Sequence, residues 1–233
     1  MRDESVQRIH AAVYDIFDRI HLIRFPLDAS DAVKLFENCR YMSYKELEEA
    51  SGSTHDEVIR ACESYDGCTK YDPNTKRYLI LANRSPKNII SRDRINWTIA
   101  HELGHILCGH FDLLVDDGKA ISSEIKDTEV EAEADFFAAS LLAPLPALCS
   151  AGVRNVEDVR KYFGLSQQAA EYRFAELRRY LDAENGPAAF WGTQKLSVLF
   201  RKKGIHFSSP LSVKRKSLVP KIRAIDIIPD KMD

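Results

Sequence analysis

The chain has 233 residues, 45% of them hydrophobic, and a formal net charge of −2. That length accommodates one compact domain with appendages or two small ones, with enough apolar content for an ordinary core. The near-neutral charge excludes nucleic-acid binding driven by the whole molecule's electrostatics. The five scattered cysteines, with no Cys-x-x-Cys pair, exclude a disulfide framework or a structural zinc cage.

No apolar run approaches the length of a membrane span. The start, Met1-Arg2-Asp3-Glu4-Ser5, is charged and lacks the apolar stretch of a signal peptide, so a cytoplasmic protein without membrane contact is expected. Val6, Ile9, Val13, Ile16 and Ile20 follow the spacing of an amphipathic helix, and Pro26 ends that run. Asp28 or Ser30 can cap a short helix through Ala32, Val33, Leu35 and Phe36. Ser43-Tyr44-Lys45-Glu46 and Thr54-His55-Asp56-Glu57 are capping boxes that open two more helices, the first stopped by Gly52. Two short helices about a glycine suggest a helix-turn-helix. Lys45 and Arg60, however, stand among seven acids between 46 and 66, so a structural role is favoured over DNA reading.

Asp66-Gly67 and Pro73-Asn74 are turn signals, and Arg77 to Ala82 then reads as a strand. An exposed strand edge can pair with the backbone of an extended peptide. Tyr78-Leu79-Ile80-Leu81 fits that role by position, and fits an interior core strand equally well.

Ser91 or Asp93 can cap the next helix, whose apolar run Trp97 to Cys108 contains His101-Glu102-Leu103-Gly104-His105. Residues four apart share a helix face, so both imidazoles can grip one zinc ion (Zn2+) from one side. Glu102 can then reach the attacking water as a general base without being a ligand. A solvated surface pair of histidines would have polar flanks, and these flanks are apolar. A buried Glu-His cluster without metal is the remaining bland alternative, and it leaves Glu102 at a cost. Gly104 in mid-helix lowers stability and so points to close packing near the metal. Cys108 is expected in the core. A third histidine six residues after His105 would extend the motif, but position 111 is Phe and His110 falls one short. Gly109 is a natural helix C-cap, which places His110 past the helix end as a capping or surface residue.

Zinc in a catalytic site takes three protein ligands and leaves a fourth position open. Ala134, Phe137, Ala138, Leu141 and Leu142 mark the buried face of a further helix, and Glu131 adjoins that face. Glu131 is therefore the expected third ligand, with Glu133 in reserve because a small helix rotation would exchange them. Asp135, four residues after Glu131, can hydrogen-bond the outer nitrogen of a ligand histidine. Glu129 is explained by the helix dipole alone. Beyond Pro144 and Pro146, Val156 to Arg173 shows a helix, a glycine turn at Gly164 and a helix capped by Ser166, again resembling a helix-turn-helix. From Lys195 to Arg223 nine basic residues run without an Asp or Glu, a segment that could touch nucleic acid or an acidic partner, or simply be solvated.

The stretches Thr98-Ile99-Ala100-His101-Glu102-Leu103-Gly104-His105 and Glu131-Ala132-Glu133-Ala134-Asp135-Phe136-Phe137-Ala138-Ala139-Ser140-Leu141-Leu142-Ala143-Pro144 resemble the ImmA/IrrE family of bacterial zinc metallopeptidases. The resemblance covers roughly residues 70 to 180. Asp135 stands where the family more often has Asn, and Ala143 where it more often has Met. The resemblance implies cleavage of a helix-turn-helix repressor of a mobile element, such as a prophage, or of a stress regulon, relieving repression. The expected fold class is α+β. A mainly helical, zincin-like minimal metallopeptidase domain with a small β-sheet spans 1–146, with an edge strand near 77–83, a metal helix at 94–108 and a third-ligand helix at 129–142. A helix-turn-helix-like segment follows over 147–185, then a basic extension over 186–233. The alternative function is a non-catalytic regulatory protein that binds a repressor partner or DNA, with DNA the less favoured.

Overall fold

A computed structural model describes residues 2–84, 91–111, 115–116, 119–120, 128–182 and 192–208. Helix α1 (Asp3–Arg19) buries Ile9, Val13, Ile16 and Phe17 along one face. It stops at Ile20, ahead of Pro26. The carbonyls of Phe17, Asp18 and Ile20 all accept from Lys203 Nζ, a cation at the negative end of the helix. After β1 (Arg24–Phe25), helix α2 (Ala29–Val33) is capped by Asp28, whose carboxylate accepts from the Ser30 N–H at 3.0 Å. Strand β2 (Cys39–Ser43) leads into α3 (Tyr44–Ser51) and α4 (His55–Cys62). Both capping boxes are formed, and Gly52 ends α3 in the left-handed region at φ 73°.

Strands β3 (Gly67–Asp72) and β4 (Arg77–Ala82) complete a three-stranded sheet ordered β2-β4-β3. β4 runs parallel to β2 and antiparallel to β3. The reading of Tyr78, Leu79, Ile80 and Leu81 as an edge strand for substrate is thereby corrected: β4 is the central strand, paired on both sides. The physical reason lies in its composition. Ile80 enters the main core, while Leu81 enters a second cluster with Tyr44, Val58 and Cys62. A strand covered on both faces is a continuous apolar run, whereas a half-exposed strand alternates.

Helix α5 (Arg92–Leu107) lies against β3 and β4 on one side and packs most extensively on α6 (Thr128–Leu142) on the other. Ser91 caps α5. Between these helices are the two-residue strands β5 (Val115–Asp116) and β6 (Lys119–Ala120). The stretch Thr128–Ala151, which includes α6 and α7 (Leu145–Ala151), is long and apolar enough to cross a membrane, contrary to the sequence reading. Of that apolar window 78% is buried inside the protein, so its apolarity is used in the core.

Helices α8 (Val156–Phe163) and α9 (Gln167–Asp182) flank Gly164 at φ 63°. α9 turns Arg173 inward, where its Nε donates to the Ala143 carbonyl at 2.7 Å. Helix α10 (Thr193–Lys203) packs on α1 and α7, and β7 (His206–Phe207) pairs parallel with β1. Phe17, Phe25, Phe163, Phe200 and Phe207 form one linked aromatic cluster. The core is thus continuous across the divisions expected at 146 and 186. Of the basic segment, Lys214, Arg215, Lys216, Lys221 and Arg223 lie outside the described residues. All five cysteines are free, Cys108 is buried as expected, and the thiols of Cys62 and Cys68 are in hydrogen-bond contact.

Candidate metal centre

The site begins with the contact between α5 and α6. A Cβ on Gly104 would sit 3.1 Å from Phe137 Cδ1 and 3.2 Å from Ala134 Cα and its carbonyl oxygen. Glycine at 104 therefore lets the two helix backbones approach, and that approach carries acidic residues of α6 to the histidines of α5. His101 Nε2 and His105 Nε2 lie 2.9 Å apart. Glu131 reaches both, with Oε2 at 3.2 Å from His101 Nε2 and Oε1 at 3.6 Å from His105 Nε2. These three ligand atoms all fall within 4.8 Å of one another. One ion with bonds of about 2 Å can span such a group.

The remaining expected residues take up distinct positions. Asp135 Oδ1 lies 2.9 Å from His101 Nδ1, the outer nitrogen. Glu102 faces the sheet, where the Thr69 hydroxyl donates to its Oε2 at 2.7 Å. Burial raises the pKa of this carboxyl, and the bonds from Thr69 only partly offset it. Glu133, the reserve ligand, faces away from the Nε2 pair and binds Arg8 Nη2 at 2.7 Å and His110 Nε2 at 3.2 Å. His110 is 3% exposed, which corrects its reading as a surface or capping residue. Gly109, at φ 75°, turns the chain so that His110 packs back on α5, its Nδ1 2.9 Å from His105 Nδ1. Cys108, His110 and Glu133 form a second compact group of possible ligands.

The electrostatics separate the two histidines. Burial and the neighbouring His101 push His105 down to about 4, so its imidazole is neutral. Burial also disfavours the His101 imidazolium, but hydrogen bonds to Asp135 and Glu131 outweigh this and lift it to about 10. The His101 hydrogen bond holds Glu131 below its ordinary value. Burial pushes Glu133 up, and the bonds from Ser5, His110 and Arg8 more than reverse it. The donor set facing the central point is two imidazole nitrogens and one carboxylate, the type that suits a catalytic zinc with an open fourth position.

Residues 64–175 match peptidase family M78, the IrrE N-terminal-like domain. This region of the chain is an M78 peptidase domain. It extends from just before β3 into α9 and includes Thr69, Glu102 and every residue of the cluster around His101, His105 and Glu131. An M78 domain is of metallopeptidase type and implies a protein substrate. No curated protein matches the chain. Arg8 belongs to α1 and falls outside the matched region, though it reaches the buried Glu133 beside the site. Thr69 and Arg8, which the sequence reading did not single out, and His110, which it placed at the surface, all contact residues of the candidate site. The first sits on a strand that carried no strong β signal, and the other two depend on tertiary packing.

Proposed function

We propose that the chain is a zinc-dependent, site-specific endopeptidase that cleaves a helix-turn-helix repressor and so relieves repression. The convergence of His101 Nε2, His105 Nε2 and Glu131 beside the buried Glu102 supports the hydrolytic part of this reading. The choice of repressor rests on the family resemblance. His101, His105 and Glu131 would hold the zinc, and Asp135 would orient His101. Bound there, zinc lowers the pKa of a water towards about 7 and polarises the scissile carbonyl.

The chain's own groups supply the rest. Among the described residues β3 pairs only with β4, so its other edge is available to an extended peptide. This edge replaces β4 as the substrate-pairing strand, and Thr69 on β3 places it directly beside Glu102. The Glu102 carboxylate takes the proton of the attacking water and delivers it to the leaving amine. The Thr69 hydroxyl fixes Oε2 and so aims the second carboxylate oxygen. The inward-facing Arg173 ties α9 to the end of α6, which supports bracing of the catalytic domain or substrate docking over DNA reading for the α8–α9 pair.

The test is to incubate zinc-loaded protein with candidate helix-turn-helix repressors, beginning with any encoded beside its gene, and to measure intact masses. One discrete cut is expected, absent with Glu102→Gln and absent after chelation. A stable complex with bound zinc and no cut would favour the non-catalytic binding reading. Digestion of unrelated proteins at many sites would contradict site specificity.

A further inference from the structure

Each ring nitrogen around the site has a specific neighbour, and the neighbours define a direction. An imidazole that gives one nitrogen to a metal must place the proton of the other on an acceptor, and a buried N–H without one is costly. His101 has Asp135 for this purpose, on a carboxylate 60% exposed to solvent. His105 is only 4% exposed, so its acceptor must come from the protein. The atom present is His110 Nδ1, at 2.9 Å. That nitrogen can accept only if the His110 proton sits on Nε2, and Nε2 faces Glu133 Oε2 at 3.2 Å. Glu133 is itself 7% exposed, and its negative charge is matched by Arg8 Nη2 at 2.7 Å.

We propose that Arg8, Glu133 and His110 form a hydrogen-bonded relay that fixes His105 in the tautomer presenting Nε2 to the metal. This rests on the zinc reading above and makes the three positioning residues. It also gives α1, which lies outside the matched peptidase region, a part in building the metal centre. The competing use of the same atoms is a second metal on Cys108, His110 and Glu133. The geometry argues against that: both nitrogens of His110 are already engaged, and the Arg8 guanidinium occupies Glu133 where a divalent cation would be repelled.

Zinc affinity by competition with a chromophoric chelator, zinc stoichiometry and thermal melts of the full chain test the relay. Wild type is expected to bind one zinc. His110→Ala should bind it about 10–100-fold more weakly, the usual effect of removing such a partner. His110→Asn, whose carbonyl can accept in place of Nδ1, should recover much of that loss. Arg8→Met alters a residue 51% exposed on α1, remains folded, and should cost a few-fold. Cys108→Ser should bind zinc like wild type. Unchanged affinity in both His110→Ala and Arg8→Met overturns the relay while leaving the zinc reading intact. Affinity in His110→Asn as low as in His110→Ala also overturns it, by marking a merely structural role. Two zinc ions in wild type, one of them lost in Cys108→Ser, overturns it in favour of the second metal. A wild-type protein that binds no zinc removes both the relay and the reading beneath it.

Discussion

Glu131 and Glu133 stand two residues apart on α6 and face opposite ways, one towards the Nε2 pair and the other into the Arg8–His110 contacts. The motif on α5 and the acidic start of α6 were legible from residue types and spacing, as was the reach of Asp135 to a histidine. The apolar face of α6 favoured Glu131 over Glu133, but it left Glu133 in reserve, because the all-round burial of the helix from Phe137 to Leu142 allows a small rotation. The close approach at Gly104 fixes that rotation. A Gly104→Ala change gains about 1 kcal/mol of helix propensity. It also places a methyl 3.2 Å from the backbone of Ala134, which cannot yield without moving α6. Overpacking of this kind costs about 1–3 kcal/mol, so urea unfolding should show a net loss of about 1 kcal/mol; a stabilised variant would mean that the helices separate readily. At Thr69, replacement by Val keeps the shape and removes the hydroxyl that holds Glu102. Peptidase kcat should fall about tenfold, in the range for lost supporting hydrogen bonds, with zinc affinity unchanged.

At the scale of elements, the capping boxes at Ser43 and Thr54 were legible because local side-chain-to-backbone bonds define them. Strands β2 and β3 were not. Gly67-Cys68-Thr69-Lys70-Tyr71-Asp72 has little of the β-branched content that marks a strand, and its pairing with β4 supplies what its composition does not. The apolar run of β4 was visible, but its meaning as a doubly covered strand required the second cluster formed by α3 and α4. The α3 box carries a pH signature. Hydrogen bonds from the Ser43 hydroxyl and N–H lower the Glu46 pKa. Its contribution is therefore complete above the unfolded value and disappears as pH falls through the folded one. Wild type should exceed Glu46→Gln in stability at pH 7, by under about 1 kcal/mol for this solvent-facing group. The gap should close on acidification below about pH 4, the ordinary range of a Glu carboxyl. A gap that widens on acidification would contradict the assignment.

For the whole molecule, periodicity identified a mainly helical protein and the family resemblance implied its small sheet, but the boundaries drawn at 146 and 186 do not appear as breaks in the core. Linkers were read from proline, glycine and charge, and these mark turns as readily as domain borders. Leu196, Leu199 and Phe200 on α10 are buried against α1 and α7, and Lys203 holds the end of α1. Ending the chain after residue 185 removes these three side chains and uncovers the apolar faces of α1 and α7 beneath them, a loss of about 1.5–3 kcal/mol for each. That sum is comparable to a domain's total stability of about 5–15 kcal/mol. The shortened chain should lose its cooperative thermal transition, and a wild-type melting curve would show that the C-terminal elements are dispensable.

The most direct test of the central claim is anomalous diffraction at the zinc edge from crystals of the zinc-loaded chain. The expected result is a single peak bounded by His101 Nε2, His105 Nε2 and the Glu131 carboxylate, with His110 Nδ1 still facing His105 Nδ1. A peak among Cys108, His110 and Glu133, or no zinc peak between the two helices, would contradict it.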